Sequence, residues 1–399
     1  MLSRSFRGVA AAVLGTALWA APAAAQDQTT EFPSWNIPGW TFTPGVVFGA
    51  LYDSNVTLTS PGVGQEIPSD TLFQIEPFGQ IDYFSPRTTL SGGYRGFLRR
   101  YVDLGALDSL DHRAFFTLRE RVTRRLTVFV TENFAQVPTT DRLPLNGVPF
   151  LRGGARYNDL AGGLEARLSR STDFTARYEV TWVDFMREDT PLTGGIVNGV
   201  RSSLSRRLTE RVSLGGEYEL RWADLNDGLR NQTFQDAGVV VRYRVGEVTN
   251  FEAAGGVAHL NDRTRGDSRT GPYVRAELIH RAPRATVGAE FRRSYVPSVA
   301  FGGTNQTETL RGYIQMPLAR NRLYIQESAS WHRSDPFDPA FLPLQSAWLN
   351  TVVGYAVQRW FRIEGYHALS RQDTRQAGGR IGRNIVGVQF VVSEPVRIR

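Results

Sequence analysis

The feature that most constrains the fold is an alternation of apolar and polar side chains in residues 154–187. In both halves of this segment every second residue is apolar or glycine, and a short polar turn at residues 170–172 separates the halves. Because side chains of a strand point alternately to its two faces, this period of two predicts a β-hairpin with one apolar and one charged face. The apolar set comprises Leu160, Gly162, Leu164, Ala166, Leu168, Phe174, Ala176, Tyr178, Val180 and Trp182.

The same pattern recurs from residue 42 to residue 393, and the connections between segments alternate between eight short and nine long ones. An even number of strands, joined alternately by short turns and long loops, is typical of bacterial outer-membrane barrels. We therefore predict an all-β fold, a closed antiparallel transmembrane β-barrel of about 18 strands with short periplasmic turns and longer external loops. The alternative is a soluble β-sandwich. Strands 126–137 and 346–357 are ambiguous, because both of their faces are apolar.

The N-terminus predicts export. Arg4 and Arg7 precede a short apolar run, and Ala25 ends a small-residue cleavage site. Residues 1–25 are therefore expected to be a signal peptide rather than a membrane anchor helix. We expect residues 26–40 to be a periplasmic lead-in and residues 41–399 to form the barrel, in the outer membrane of a Gram-negative-type bacterium.

Composition is consistent with this assignment. Hydrophobic residues make up 41% of the chain and aromatic residues 11%, which suits a wall whose alternate residues face lipid and whose rims carry aromatic girdles. The chain has no cysteine, and an exported protein without disulfides fits a continuous hydrogen-bonded sheet. The formal net charge is +7, and the chain contains arginine but no lysine. These arginines alternate with glutamates instead of clustering, which argues against a nucleic-acid partner.

Charged residues are expected to line the lumen, because a charge facing lipid near the midplane costs about 2–4 kcal/mol. The arginines would attract anionic or sugar-like solutes, and weak anion preference is expected. The alternative is that Arg–Glu pairs only stiffen the wall. The predicted lumen residues are Arg95, Arg99, Arg119, Arg121, Glu165, Arg167, Arg177, Glu179, Glu217, Glu219, Arg221, Arg242, Glu252, Arg275, Glu277, Glu290, Arg311, Arg362 and Glu364.

A long external loop at residues 138–153 is a candidate constriction, since a loop at this position can fold inward and narrow a pore. Its candidate residues are Asp141, Arg142 and Phe150. Residues 335–345, with three prolines and two phenylalanines, compete for the same role.

Enzymatic chemistry finds little support. The five histidines are scattered without metal-ligand spacing, and the chain has no G-x-S-x-G motif. We therefore assign no catalytic, cofactor-binding or metal residues and expect no cofactor. Two alternatives to a channel stay open: a structural or surface-binding barrel without an open pore, and an outer-membrane barrel hydrolase or acyltransferase.

Two segments carry a family resemblance. Residues 47–56 (VFGALYDSNV) resemble the first strand of a β-barrel porin family found with exopolysaccharide and exosortase gene clusters, and residues 386–395 are similar to its last strand and tail. The resemblance implies an outer-membrane barrel, with polysaccharide or polysaccharide-export components as partners. Residues 383–392 also resemble the C-terminal signal read by the barrel assembly machinery. Ile385, where a polar residue is usual, departs from that signal. Outer-membrane lipid is the remaining expected partner.

Overall fold

The computed structural model describes residues 38–60, 66–143, 145, 147–186, 192–225, 230–264, 266–301, 303–319, 322–374 and 379–398. The predicted signal peptide and most of the predicted lead-in lie outside these residues. Each strand pairs antiparallel with the next along the chain, and β18 pairs with β1. The chain is therefore a closed antiparallel barrel of 18 strands, as the sequence predicts.

Successive strands are joined alternately by short turns at one end of the barrel, the short-turn end, and by longer loops at the other, the long-loop end. Two 3-10 segments, Gly105–Leu107 and Thr140–Arg142, lie in connections at the long-loop end. Within the described residues, no helix has the length and apolarity needed to span a bilayer. The strands are β1 Gly39–Asp53, β2 Asp70–Phe84, β3 Thr88–Tyr101, β4 Ser109–Arg121, β5 Leu126–Thr139, β6 Arg152–Arg167, β7 Thr172–Phe185, β8 Gly195–Arg207, β9 Val212–Leu225, β10 Arg230–Arg244, β11 Thr249–Asp262, β12 Asp267–Ala282, β13 Ala285–Ser298, β14 Gly303–Leu318, β15 Leu323–Pro336, β16 Leu344–Ala356, β17 Phe361–Asp373, β18 Arg380–Ser393 and β19 Val396–Ile398.

The short strand β19 continues the line of β18 toward the C-terminus. Both strands pair with β1, through Gly45 opposite Ser393 and then Phe42 opposite Val396. Glu394 and Pro395 lie between them, and proline has no N–H for the ladder. The tail that follows the predicted last strand is therefore part of the closing seam.

The alternation places apolar side chains outside. In the hairpin β6–β7, Leu160 lies opposite Val180, and Leu160 is 41% exposed; Glu165 lies opposite Thr175 on the other face. Exposed apolar side chains cover the middle of the wall, and exposed aromatic side chains lie above and below them. The apolar band includes Phe48, Leu160, Val200, Val239, Val257, Leu310 and Val388; the aromatic residues are Trp40, Tyr243, Tyr355 and Trp360 toward the short-turn end and Tyr52, Phe73 and Trp222 toward the long-loop end.

Aromatic rings on the opposite, inner face lie over glycines of the neighbouring strand. A Cβ atom at Gly45 would come within 2.1 Å of the Phe78 ring, and one at Gly354 within 2.1 Å of the Tyr324 ring. In each case the glycine and the aromatic residue are direct cross-strand partners. Because only glycine leaves room for the ring, each of these pairs covers part of the inner surface of the wall.

Candidate functional site

The connection between β5 and β6 crosses the interior of the barrel; we call its described residues, 140–143, 145 and 147–151, the crossing loop. The Trp348 indole N–H on β16 donates to the Asp141 carbonyl at 3.0 Å. Gln372 on β17 accepts from the Phe150 N–H at 2.7 Å and donates to the Val148 carbonyl at 2.9 Å. Since β16 and β17 are far around the wall from β5 and β6, these contacts are possible only through the interior.

Charged groups join the crossing loop to the seam where the barrel closes. Arg383 on β18 donates from Nη1 to Asp141 Oδ2 at 2.9 Å and from Nη2 to Asp53 Oδ2, on β1, at 2.6 Å. Burial of the Asp141 carboxyl would by itself raise its pKa, but the guanidinium groups of Arg383 and Arg142 hold that pKa below its usual value. Asp141 is therefore ionised in the folded protein at neutral pH.

Apolar contacts complete the docking of the crossing loop. The Phe150 ring packs against the Trp348 ring with centroids 5.3 Å apart, and Leu58 of the β1–β2 connection joins the same cluster. This packing explains one of the two ambiguous strands, because an apolar residue on the inner face of β16 meets a loop instead of water.

A second pair of connections also meets inside the long-loop end. The N–H groups of Thr193 and Gly194, between β7 and β8, donate at 2.9 Å to the carbonyls of Ala300 and Val299, between β13 and β14. Around them is an apolar cluster drawn from the crossing loop and the inner faces of several strands. It includes Val137, Leu143, Val148, Val183, Leu225, Phe234, Leu260, Tyr273, Tyr295, Val299 and Ala300.

The competing loop at 335–345 contributes to this filling through its phenylalanines. The Phe337 ring contacts the Tyr295 ring edge-on at 5.0 Å, and the Phe341 ring stacks on Phe301 at 5.0 Å. Both proposed loops therefore make contacts inside the long-loop end. A barrel of this many strands is wide enough to hold water, but here loops and apolar side chains occupy the space.

A small cavity that is open to solvent lies beside the crossing loop, between the inner faces of β1–β3 and β16–β18. Its lining combines both signs of charge, amides and aromatic rings, the composition of a site for a polar organic solute. The lining residues are Val47, Leu51, Gln74, Glu76, Arg95, Phe97, Arg99, Arg142, Asn350, Val352, Glu364, Tyr366 and Gln389.

The cavity arginines are held by specific partners. Arg99 pairs with Asp111 on β4, and its Nε donates to Gln74 Oε1 at 2.6 Å. The guanidinium of Arg99 lies 5.2 Å from the centre of the Phe97 ring. Arg95 Nη1 lies 3.4 Å from Glu76 Oε2. These contacts fix the direction of each guanidinium, so the positive side of the cavity is preorganised.

A second group of inner charges braces the strands β8–β13. Glu219 pairs with Arg201 and lies 3.1 Å from Arg221 Nε and from Arg292 Nη2. Arg292 is on β13 and Glu219 is on β9, so this ion pair joins inner-face residues that lie four strands apart in the wall. Asp236 continues the network through Arg221 Nη2 at 2.7 Å. Such closely paired charges stiffen a wall and present little net charge to a solute.

All nineteen predicted lumen residues occupy inner-face positions in the strand register, and most have opposite-charge partners. Arg95, Arg99 and Glu364 line the cavity. A row of directly opposed residues crosses β10–β14, in the order Arg242, Glu252, Glu277, Glu290 and Arg311. Further ion pairs of predicted residues in the described part of the chain include Arg119–Glu165, Arg167–Asp173, Arg177–Glu179, Arg242–Glu252, Arg275–Glu217, Arg275–Glu252 and Arg362–Glu364. Arg121 is the last residue of β4, at the short-turn end.

Two of the three candidate constriction residues anchor the crossing loop, and the third lines the cavity. Asp141 and Phe150 are buried against the opposite wall, whereas Arg142 lines the cavity. The prediction did not include the partners Glu76, Asp111, Asp236 and Arg292, although their place in the alternation was available. It also omits Arg383, which lies in the segment that resembles an assembly signal, because the two carboxylate partners of Arg383 are remote in sequence.

In the described part of the chain, no three side chains of the kinds that bind metal ions lie close together. The structure therefore indicates no metal centre there. His112 Nδ1 lies 2.7 Å from the Tyr94 hydroxyl. His332 is buried, with its ring edge-on to Trp348 at 4.9 Å. Each of these histidines therefore has a structural partner.

Comparisons with known proteins give likeness of shape alone. No protein-family model and no curated protein matches the sequence. The outer membrane protein OpdK of Pseudomonas aeruginosa is 13% identical, with 88% of this chain and 99% of that chain covered and a TM-score of 0.42. OccAB4 of Acinetobacter baumannii is 9% identical, with 90% and 100% covered and a TM-score of 0.43. A bacterial polysaccharide outer membrane secretin is 12% identical, with 90% and 99% covered and a TM-score of 0.36. These values are too low to assign a family or to transfer a function.

Proposed function

We propose that this protein is an outer-membrane, porin-like channel without enzymatic activity, which passes small anionic or sugar-like solutes. The observation that carries the proposal is the cavity beside the crossing loop, where Arg95, Arg99 and Arg142 share one space with Glu76 and Glu364. Arginine binds carboxylates, phosphates and sugar hydroxyls through a planar fork of donors, and the opposing carboxylates keep binding weak enough for release.

The membrane assignment rests on the outer surface. Apolar side chains cover the middle of the wall, and exposed aromatic side chains lie toward both ends, as expected for a barrel in lipid. With this assignment, outer-membrane lipid surrounds the wall, the barrel assembly machinery inserts the chain, and an N-terminal signal peptide directs export. Passage of an exported polysaccharide is a finer form of the proposal. A polymer would require the crossing loop to move aside, so export components are the partners that this form needs.

Single-channel recording in planar bilayers tests the proposal. We expect discrete conductance steps and a reversal potential, in a salt gradient, that shows weak anion preference. An acidic oligosaccharide added to one side should interrupt the current if sugar-like solutes enter the cavity. Clear cation preference would contradict the assigned role of the arginines.

A closed barrel that binds at its surface is the second candidate. The observation that favours it is the apolar cluster that fills part of the long-loop end, including Val299 and Ala300 from the β13–β14 connection. A purified protein that inserts into bilayers, keeps its folded mobility in electrophoresis and never conducts would support this candidate over the channel.

A further inference from the structure

The crossing loop is attached to the far wall by one guanidinium that is shared between two carboxylates. Arg383 is almost fully buried, and its one guanidinium meets two carboxylates, those of Asp53 and Asp141. Asp53 is bound through both oxygens, at 3.0 Å from Nε and 2.6 Å from Nη2. Arg383 and Asp53 thus form a complete pair between β18 and β1, to which Asp141 adds a second negative charge.

Because Arg383 is already paired with Asp53, Asp141 is the removable member of the group. Breaking a buried ion pair normally leaves an uncompensated charge and is strongly destabilising. Removing the charge of Asp141 avoids that cost, because Arg383 keeps its bidentate partner Asp53. The closing seam of the barrel should therefore survive a change at Asp141, whereas the crossing loop loses its charged attachment.

The residue that follows Asp141 lies at the cavity. Thr140, Asp141 and Arg142 form one 3-10 turn, so the position of the Asp141 side chain sets the direction of Arg142. Arg142 lines the cavity together with Arg95 and Arg99. Ser370 Oγ, 3.2 Å from Asp141 Oδ2, and the Trp348 indole at the Asp141 carbonyl hold the same turn from β17 and β16.

We propose that Asp141 is a positioning residue, whose ion pair with Arg383 holds the crossing loop against the far wall and so places Arg142 where it sets the charge preference of the cavity. This inference rests on the proposed channel function. Arg142 acts on the solute directly, and Asp141 acts through Arg142.

Planar-bilayer recordings of Asp141→Asn and Arg142→Gln separate the two roles. Asp141→Asn should raise conductance roughly twofold and lower anion preference, because both the loop and Arg142 leave their positions. Arg142→Gln should lower anion preference with little change in conductance, because the loop stays docked. Asp184→Asn, which changes an exposed carboxylate on the wall, is the matched control and should behave as the wild type.

A milder variant covers the case in which Asp141→Asn does not fold, as judged by electrophoretic mobility before and after heating. Trp348→Phe keeps an aromatic ring against Phe150 but removes the donor to the Asp141 carbonyl, and it should change conductance and selectivity in the same direction by a smaller amount. If the wild type conducts and all three variants match it in conductance and reversal potential, the inference is wrong. If the wild type does not conduct, the proposed function itself fails.

Discussion

At the scale of single residues, the chemistry of this barrel depends on which carboxylate each arginine meets. Arg99 and Arg383 are both almost fully buried, and each is paired with a carboxylate from a different strand. Their partners hold them in one orientation, which a solvated arginine would not keep. The sequence shows that these residues alternate with apolar ones, but the pairing itself appears only in the folded wall.

The ion pair between Asp141 and Arg383 predicts that acid weakens the attachment of the crossing loop. Its folded pKa lies below its usual value, so the ion pair stabilises the docked loop fully above the unfolded pKa of about 3.9. That stabilisation is lost as the pH falls through the folded pKa. The charged groups facing Asp141 are Arg383 and Arg142, with Asp53 on the far side of Arg383.

We therefore expect the conductance of the wild type to rise as the pH falls below about 4, because protonated Asp141 releases the crossing loop. Other carboxylates also titrate in this range, so Asp141→Asn recorded over the same pH series is the comparison. Its conductance should already be high and should change less. An equal pH dependence in both proteins would exclude Asp141 as the responsible group.

At the scale of elements, the contact of β18 with β1 closes the barrel and requires a close approach. A Cβ atom at Gly387 would lie 2.1 Å from the Ala50 carbonyl oxygen and 2.8 Å from the Leu51 Cα atom. Backbone atoms cannot move aside as a flexible side chain can. The glycine that resembles part of an assembly signal is thus also needed for the seam.

Gly387→Ala should consequently destabilise the barrel by about 1–3 kcal/mol, the usual cost of overpacking. Urea-induced unfolding from lipid vesicles, followed by tryptophan fluorescence, measures the free energy of unfolding. Gly365→Ala on β17 is the matched control, since its nearest contact would be 3.9 Å away and its stability should stay within about 0.5 kcal/mol of the wild type. Equal stability of the two variants would show that the seam tolerates the added methyl group.

At the scale of the whole molecule, the apolar side chains lie on the outer face and the charged side chains on the inner face, the reverse of a soluble protein. Leu160 is exposed on the outer wall, whereas Glu219 and Arg383 are buried inside. In water such an arrangement would leave a large apolar surface exposed, which soluble monomers avoid. The arrangement is stable if lipid covers the wall.

Substitutions at two depths of one strand test for lipid. Leu160→Arg, in the apolar band, should lower the free energy of unfolding in vesicles by about 2–4 kcal/mol, whereas Leu168→Arg, beyond the short-turn end of β6, should cost about 0–1 kcal/mol. The difference arises because a charge is costly near the bilayer midplane and cheap at the interface. Similar costs at both positions would argue that the outer wall does not face hydrocarbon.

The sequence by itself determined the face on which residues such as Glu165 and Tyr178 lie, because a period of two within one segment is a local pattern. It also determined the number and order of the strands, because short and long connections alternate along the chain. The tertiary structure alone decided what the connections do. The meeting of Asp53, Asp141 and Arg383 and the filling of the long-loop end join segments that are far apart in the chain. Closure of the barrel creates those contacts, and no local pattern encodes them.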